Sequence, residues 1–147
     1  MTMQWVVVAD RSRARIFQTD AGLDQLKEVE DLLNPEGRAD DADLRHDAKG
    51  RFYGKGERHQ AHTAEPHTSR QAIDEDRFSR EVTELLQRAC EADLYDSLVM
   101  VAPPEFLGML RRRLSSEVEQ KITQQLDAGL SNWQTLQIRD YLKQHLH

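Results

Sequence analysis

Five cations, Arg45, Lys49, Arg51, Lys55 and Arg58, recur in one short run, with Phe52 and Tyr53 between them and Gly50, Gly54 and Gly56 interspersed. Residues of these types can hold a polyanion. Guanidinium and ammonium groups meet phosphates, aromatic rings stack on unpaired bases, and glycines let backbone N–H groups approach closely. The run is set against an acidic background. Arg45–Gln60 carries five Lys or Arg against Asp47 and Glu57, a local +3 in a chain of net −6, which leaves −9 for the remainder. So acidic a chain does not coat nucleic acid nonspecifically, because such coating needs broad positive potential. The segregation points instead to one local contact. The plainer reading is that a charged, Gly-punctuated segment is simply well solvated.

A second constellation overlaps the first. His46, His59, His62 and His67 are four of the six histidines, and His59, His62, Glu65 and His67 together offer the imidazole and carboxylate donors that Zn²⁺ accepts. A metal-dependent hydrolase is the chemistry that set would serve. The spacing, however, matches no helical His-x-x-x-His pair and no zinc finger, so no metal and no other cofactor is expected.

Nucleophilic catalysis has less to stand on. Cys90 is the single cysteine and borders an apolar helical stripe, where a buried inert thiol is expected. There is no Gly-x-Ser-x-Gly elbow, no Gly-x-x-x-x-Gly-Lys-Ser/Thr loop and no Gly-x-Gly-x-x-Gly turn. Asp10, at a strand end beside Arg11 and Arg13, is read as a turn former rather than a catalytic carboxylate. Arg111, Arg112 and Arg113 are read as cations complementing the end of a helix dipole. The chain is therefore expected not to be an enzyme.

Gln4–Ala9 is β-branched and nearly continuous in apolarity, as a strand buried on both faces should be. Asp10-Arg-Ser12 is a turn and Arg13–Thr19 alternates, which together predict a hairpin. A third strand is expected over Leu26–Leu33. Asn34-Pro-Glu-Gly37 then breaks the pattern. From Asn34 to Ala72 the only aliphatic residue larger than Ala is Leu44, so a long mobile loop is expected at about 34–72.

Order is expected to return near Thr68, where Thr68-Ser-Arg-Gln71 has capping-box spacing and Asp74, Glu75 and Asp76 follow. Phe78, Val82, Leu85, Leu86 and Ala89 share a helical face, Ile73 falls opposite, and the helix should end near Asp93. Ser97–Ala102 is the second central strand, stopped by Pro103-Pro104. One helical face follows, through Phe106, Leu107, Leu110, Leu114 and Val118. A short strand around Lys121–Leu126 and a helix from about Trp133 to Leu146 complete an α/β chain of order β-β-β-α-β-α-β-α, a single domain with a mixed β-sheet.

One cysteine fits a reducing compartment, and no run of about 18 apolar residues offers a membrane span. Met1-Thr-Met-Gln-Trp5 lacks the basic flank and long apolar stretch of a signal peptide, so a cytoplasmic protein without membrane contact is expected.

With those residues in view, the chain resembles the bacterial host attachment protein family ("protein required for attachment to host cells"). The likeness rests on the Trp5–Phe17 segment, Asn34-Pro-Glu-Gly-Arg38, Phe78-Ser-Arg-Glu81 and Leu98-Val-Met-Val-Ala-Pro103-Pro104-Glu-Phe106-Leu107-Gly108. The strand order is similar to the middle domain of archaeo-eukaryotic class-1 release factors. There a long loop carries Gly-Gly-Gln to the ribosomal peptidyl-transferase centre and promotes peptidyl-tRNA hydrolysis. Here the corresponding stretch reads Gly54-Lys-Gly-Glu-Arg-His-Gln60, without that triplet. The resemblance implies a noncatalytic protein contacting ribosomal RNA or tRNA, in hibernation, rescue or translation quality control. Its family label implies the other expectation, a host-attachment or surface-adaptation protein acting through a protein partner.

Overall fold

The computed structural model describes residues 2–20, 22–35 and 60–146, the side chains of 60–69 excepted. Five strands form one mixed sheet: β1 (Gln4–Ala9), β2 (Arg13–Thr19), β3 (Lys27–Leu33), β4 (Ser97–Ala102) and β5 (Ile122–Asp127). Their spatial order is β3-β2-β1-β4-β5. The β1–β2 and β2–β3 pairs are antiparallel, while β4 runs parallel to both β1 and β5. Four helices are seen among the described residues: α1 (Gln60–Glu91), α2 (Pro104–Arg113), α3 (Ser116–Lys121) and α4 (Thr135–His145).

The apolar runs of β1 and β4 are explained by burial on both faces. Trp5, Val7 and Ala9 join Leu98, Met100 and Ala102 in one core, closed by Phe78, Val82 and Leu86 of α1, Phe106 and Leu110 of α2, and Val118 of α3. Val6 and Val8 join Val99 and Val101 in a second core on the opposite face, closed by Ile138 and Leu142 of α4. The result is three layers, helix–sheet–helix, with the parallel pair at the centre. No described helix is long and apolar enough to cross a membrane.

The hairpin turn is built by Asp10. Its Oδ1 accepts from the N–H and hydroxyl of Ser12 and from the N–H of Arg13, at 2.9, 3.0 and 3.0 Å. At the far end of α1, Asp93 takes a left-handed φ of 58°. Its N–H reaches the Cys90 carbonyl and that of Leu94 reaches Ala89, which closes the helix by the common left-handed cap.

Two expectations need correction. The first helix was expected from Thr68, but α1 is already about two turns long there, starting at Gln60. The Thr68–Gln71 capping-box spacing suggested the later start. The loop expected at about 34–72 is therefore helical from Gln60 onward. The second concerns the single helical face from Phe106 to Val118, which is two helices. Leu114 is extended, and the Ser115 side chain accepts from the Val118 N–H as the N-cap of α3. Val118 is fully buried and keeps the spacing of Leu110 and Leu114, so its periodicity concealed the break. The order is therefore β-β-β-α-β-α-α-β-α among the described residues.

Candidate functional site

The residues named from sequence as RNA contacts, Arg45, Lys49, Arg51, Phe52, Tyr53, Lys55 and Arg58, lie outside the described residues, as do Gly50, Gly54 and Gly56. His46 and His59 lie outside as well, while His62, Glu65 and His67 fall on the opening turns of α1. Among the described residues no group of three His, Cys, Asp or Glu side chains is placed to hold a metal ion.

What the fold does place is the ground on which that segment is rooted. Asn34, just past β3, is 1% exposed. Its amide group donates to the Arg11 carbonyl at 2.8 Å, its backbone N–H donates to the Ser12 carbonyl at 2.9 Å, and its Oδ1 accepts from Arg77 Nη2 at 2.9 Å. One buried side chain therefore ties the end of β3, the β1–β2 turn and α1 together. Arg77 also donates to Glu81 at 2.6 Å. Asn34 had been read from sequence only as a breaker. An amide that must serve three separated segments leaves no local signature.

Beside this node a cleft of about 380 Å³ opens at the C-terminal ends of β1 and β4, lined by Asp10, Arg11, Ser12, Glu75, Pro103, Glu105 and Phe106. The chain leaves β1 toward β2 on one side and β4 toward β5 on the other, so the cleft lies at a point where the connections diverge. Open α/β sheets characteristically bind ligands at such places. Three of its charged groups are already engaged. Arg11 lies 3.5 Å from Glu75. Both oxygens of Asp10 are engaged, Oδ1 by the hairpin turn and Oδ2 by the Ser131 hydroxyl. Asp10 is thus the turn former expected, and it additionally holds the segment after β5.

That segment is held from below by Arg15, 6% exposed on the α4 face of β2. Its Nε and Nη2 grip both oxygens of Glu28 at 2.9 and 3.1 Å, and Nη1 donates to the carbonyls of Ser131 and Trp133. Nη2 also reaches Thr135 Oγ1 at 3.4 Å, and the guanidinium lies 5.1 Å from the Phe17 ring centre. Strand alternation assigns Arg15 to a face, but only the arrival of residues 131–135 from far along the chain makes that face a buried one.

On the opposite layer, the three consecutive arginines at the end of α2 have different fates. Arg111 reaches Gln125 and Glu119 at 3.2 and 3.3 Å. Arg113 donates to Asp76 of α1, and hydrogen bonding to that guanidinium holds the Asp76 carboxyl below its usual range. Arg112 lines a recess beside them. Cys90 is buried as expected, and nearby Tyr95 donates its hydroxyl to the Leu86 carbonyl at 2.8 Å. Burial pushes the Tyr95 hydroxyl well above the usual phenol range.

A family model described as "Protein required for attachment to host cells" matches residues 5–142. No curated protein matches the chain.

Proposed function

We propose that this chain, which belongs to the family of proteins required for attachment to host cells, is a noncatalytic RNA-contacting protein that binds ribosomal RNA or tRNA. The observation that carries this reading is the charge segregation: a local +3 over Arg45–Gln60 in a chain of net −6. Arg45, Lys49, Arg51, Lys55 and Arg58 meet phosphates, Phe52 and Tyr53 stack on bases, and Gly50, Gly54 and Gly56 give the backbone freedom to follow them. The Asn34 node supports the reading, because a segment that works on a partner needs a rigid base. The likeness of strand order to a release-factor middle domain, without its Gly-Gly-Gln, supports association with ribosomes in hibernation, rescue or quality control. It gives no support to peptide release.

The family description favours a second reading, a host-attachment or surface-adaptation protein acting through protein contacts. Co-sedimentation with purified ribosomes separates the two. The RNA reading expects the chain in the ribosome pellet and its loss at raised salt. A chain that stays in the supernatant at low salt contradicts it.

A further inference from the structure

We propose that the recess where the end of α2 meets α1 is a phosphate-binding subsite, formed by Arg80, Arg112 and Arg113, that takes a backbone phosphodiester of RNA. The proposal rests on the RNA reading above and adds to it a contact on the folded body. The recess measures about 230 Å³ and is lined by Asp76, Met109, Arg112 and Arg113. Its single lining carboxylate is oversubscribed. Asp76 Oδ1 takes Arg113 Nη2 at 2.5 Å, and Asp76 Oδ2 lies 3.7 Å from Arg80 Nη2. Arg112 has no hydrogen bond or ion pair among the described residues and feels Asp76 only at longer range. Three guanidiniums thus share one carboxylate. Glu84 acts on Arg113 as well, which reduces the local excess of positive charge without cancelling it.

Complementing the helix dipole accounts for cations late in α2 as a class. It does not account for their arrangement. Arg111 is tied off by Glu119 and Gln125, whereas Arg112 borders the recess without an acceptor and Arg80 and Arg113 converge on the same carboxylate. A planar guanidinium offers paired N–H donors that match two phosphate oxygens, and an anion entering here would give Arg112 the acceptor it lacks. Arg112 is exposed, so a polymer backbone can reach it without the helices parting.

The test is fluorescence anisotropy of a labelled RNA hairpin across a salt series, with folding of each variant checked by its melting curve. Arg112→Gln should weaken binding about two- to fivefold and flatten the slope of log K against log salt by about 0.7–0.9, the share of one phosphate. Asp76→Asn should tighten binding, because it removes the carboxylate that competes for Arg113 and Arg80. Arg111→Gln should bind as wild type does. Wild-type affinity and slope in Arg112→Gln would overturn the subsite. If Arg51, Lys55 and Arg58 replaced by Ala then lost affinity, the RNA reading would stand without it. A wild-type chain that captures inorganic phosphate but not the hairpin also overturns the proposal, and one that binds neither overturns both.

Discussion

Removing Arg15 should destabilise the fold far more than a strand arginine ordinarily would. The side chain is 6% exposed and all of its N–H groups point at acceptors: both Glu28 oxygens, the carbonyls of Ser131 and Trp133, and Thr135 Oγ1. Arg15→Ala leaves Glu28 without its partner and the Ser131 carbonyl unpaired in a buried place. Breaking a buried ion pair costs about 3–5 kcal/mol, and an unsatisfied buried acceptor about 1–3 kcal/mol. The Glu28 side chain keeps 28% of its exposure, so water can take over part of that loss. The lower figure, about 3 kcal/mol, is therefore the expectation. At about 2–4 °C per kcal/mol for a chain of this size, the melting temperature should fall by about 6–12 °C. Urea unfolding followed by circular dichroism gives the free energy directly. Arg15→Lys, which keeps the charge but not the fork, should fall between the two. If Arg15→Ala stays within about 0.5 kcal/mol of wild type, as surface substitutions do, then Arg15 does not pin residues 131–135 to the sheet.

Two further outcomes are expected. Tyr95 is held neutral by burial, its pKa raised above the ordinary 10.0, so the folded state binds that proton more tightly than the unfolded one. Its contribution is intact below about pH 10 and declines as pH rises beyond, and Tyr95→Phe should remove that part of the alkaline loss while costing about 1 kcal/mol at neutral pH. A variant whose alkaline unfolding matches wild type would refute the assignment. Stoichiometric Zn²⁺ should leave the melting temperature of untagged protein unchanged, because a ligand that binds only the native state would raise it. Tight one-to-one binding lost when His59 and His62 both become Ala would instead establish a metal site.

Where the sequence was informative, it was so for local reasons. The unbroken apolar runs of β1 and β4 announce strands covered on both faces, and the two cores bear that out. Asp10-Arg-Ser12 announces the turn that Asp10 Oδ1 organises, and Pro103-Pro104 marks where β4 ends and α2 begins. On the face of Phe78, Val82, Leu85, Leu86 and Ala89 all but Leu85 are buried, Leu85 packing partly buried against the same core, while Ile73 stands 65% exposed with nothing in the structure to explain it. The failures were of another kind. Val118 continued a period across the Leu114–Ser115 break, where a single serine cap decided the outcome. The roles of Asn34 and Arg15 depend on partners brought from distant parts of the chain, which no window along the sequence contains. The basic segment named as the RNA contact remains a reading of residue types, since it lies outside the described residues.

The central claim is the RNA contact, and the salt dependence of ribosome binding tests it most directly. Each phosphate contact releases condensed counterions, so binding should weaken steeply as salt rises. Replacing Arg51, Lys55 and Arg58 with Ala should weaken binding and flatten the slope by up to about three contacts' worth, with the melting curve unchanged. Replacing Phe52 and Tyr53 should weaken binding at constant slope, because stacking releases few ions. A triple-alanine variant that binds ribosomes with the affinity and slope of wild type would contradict the account.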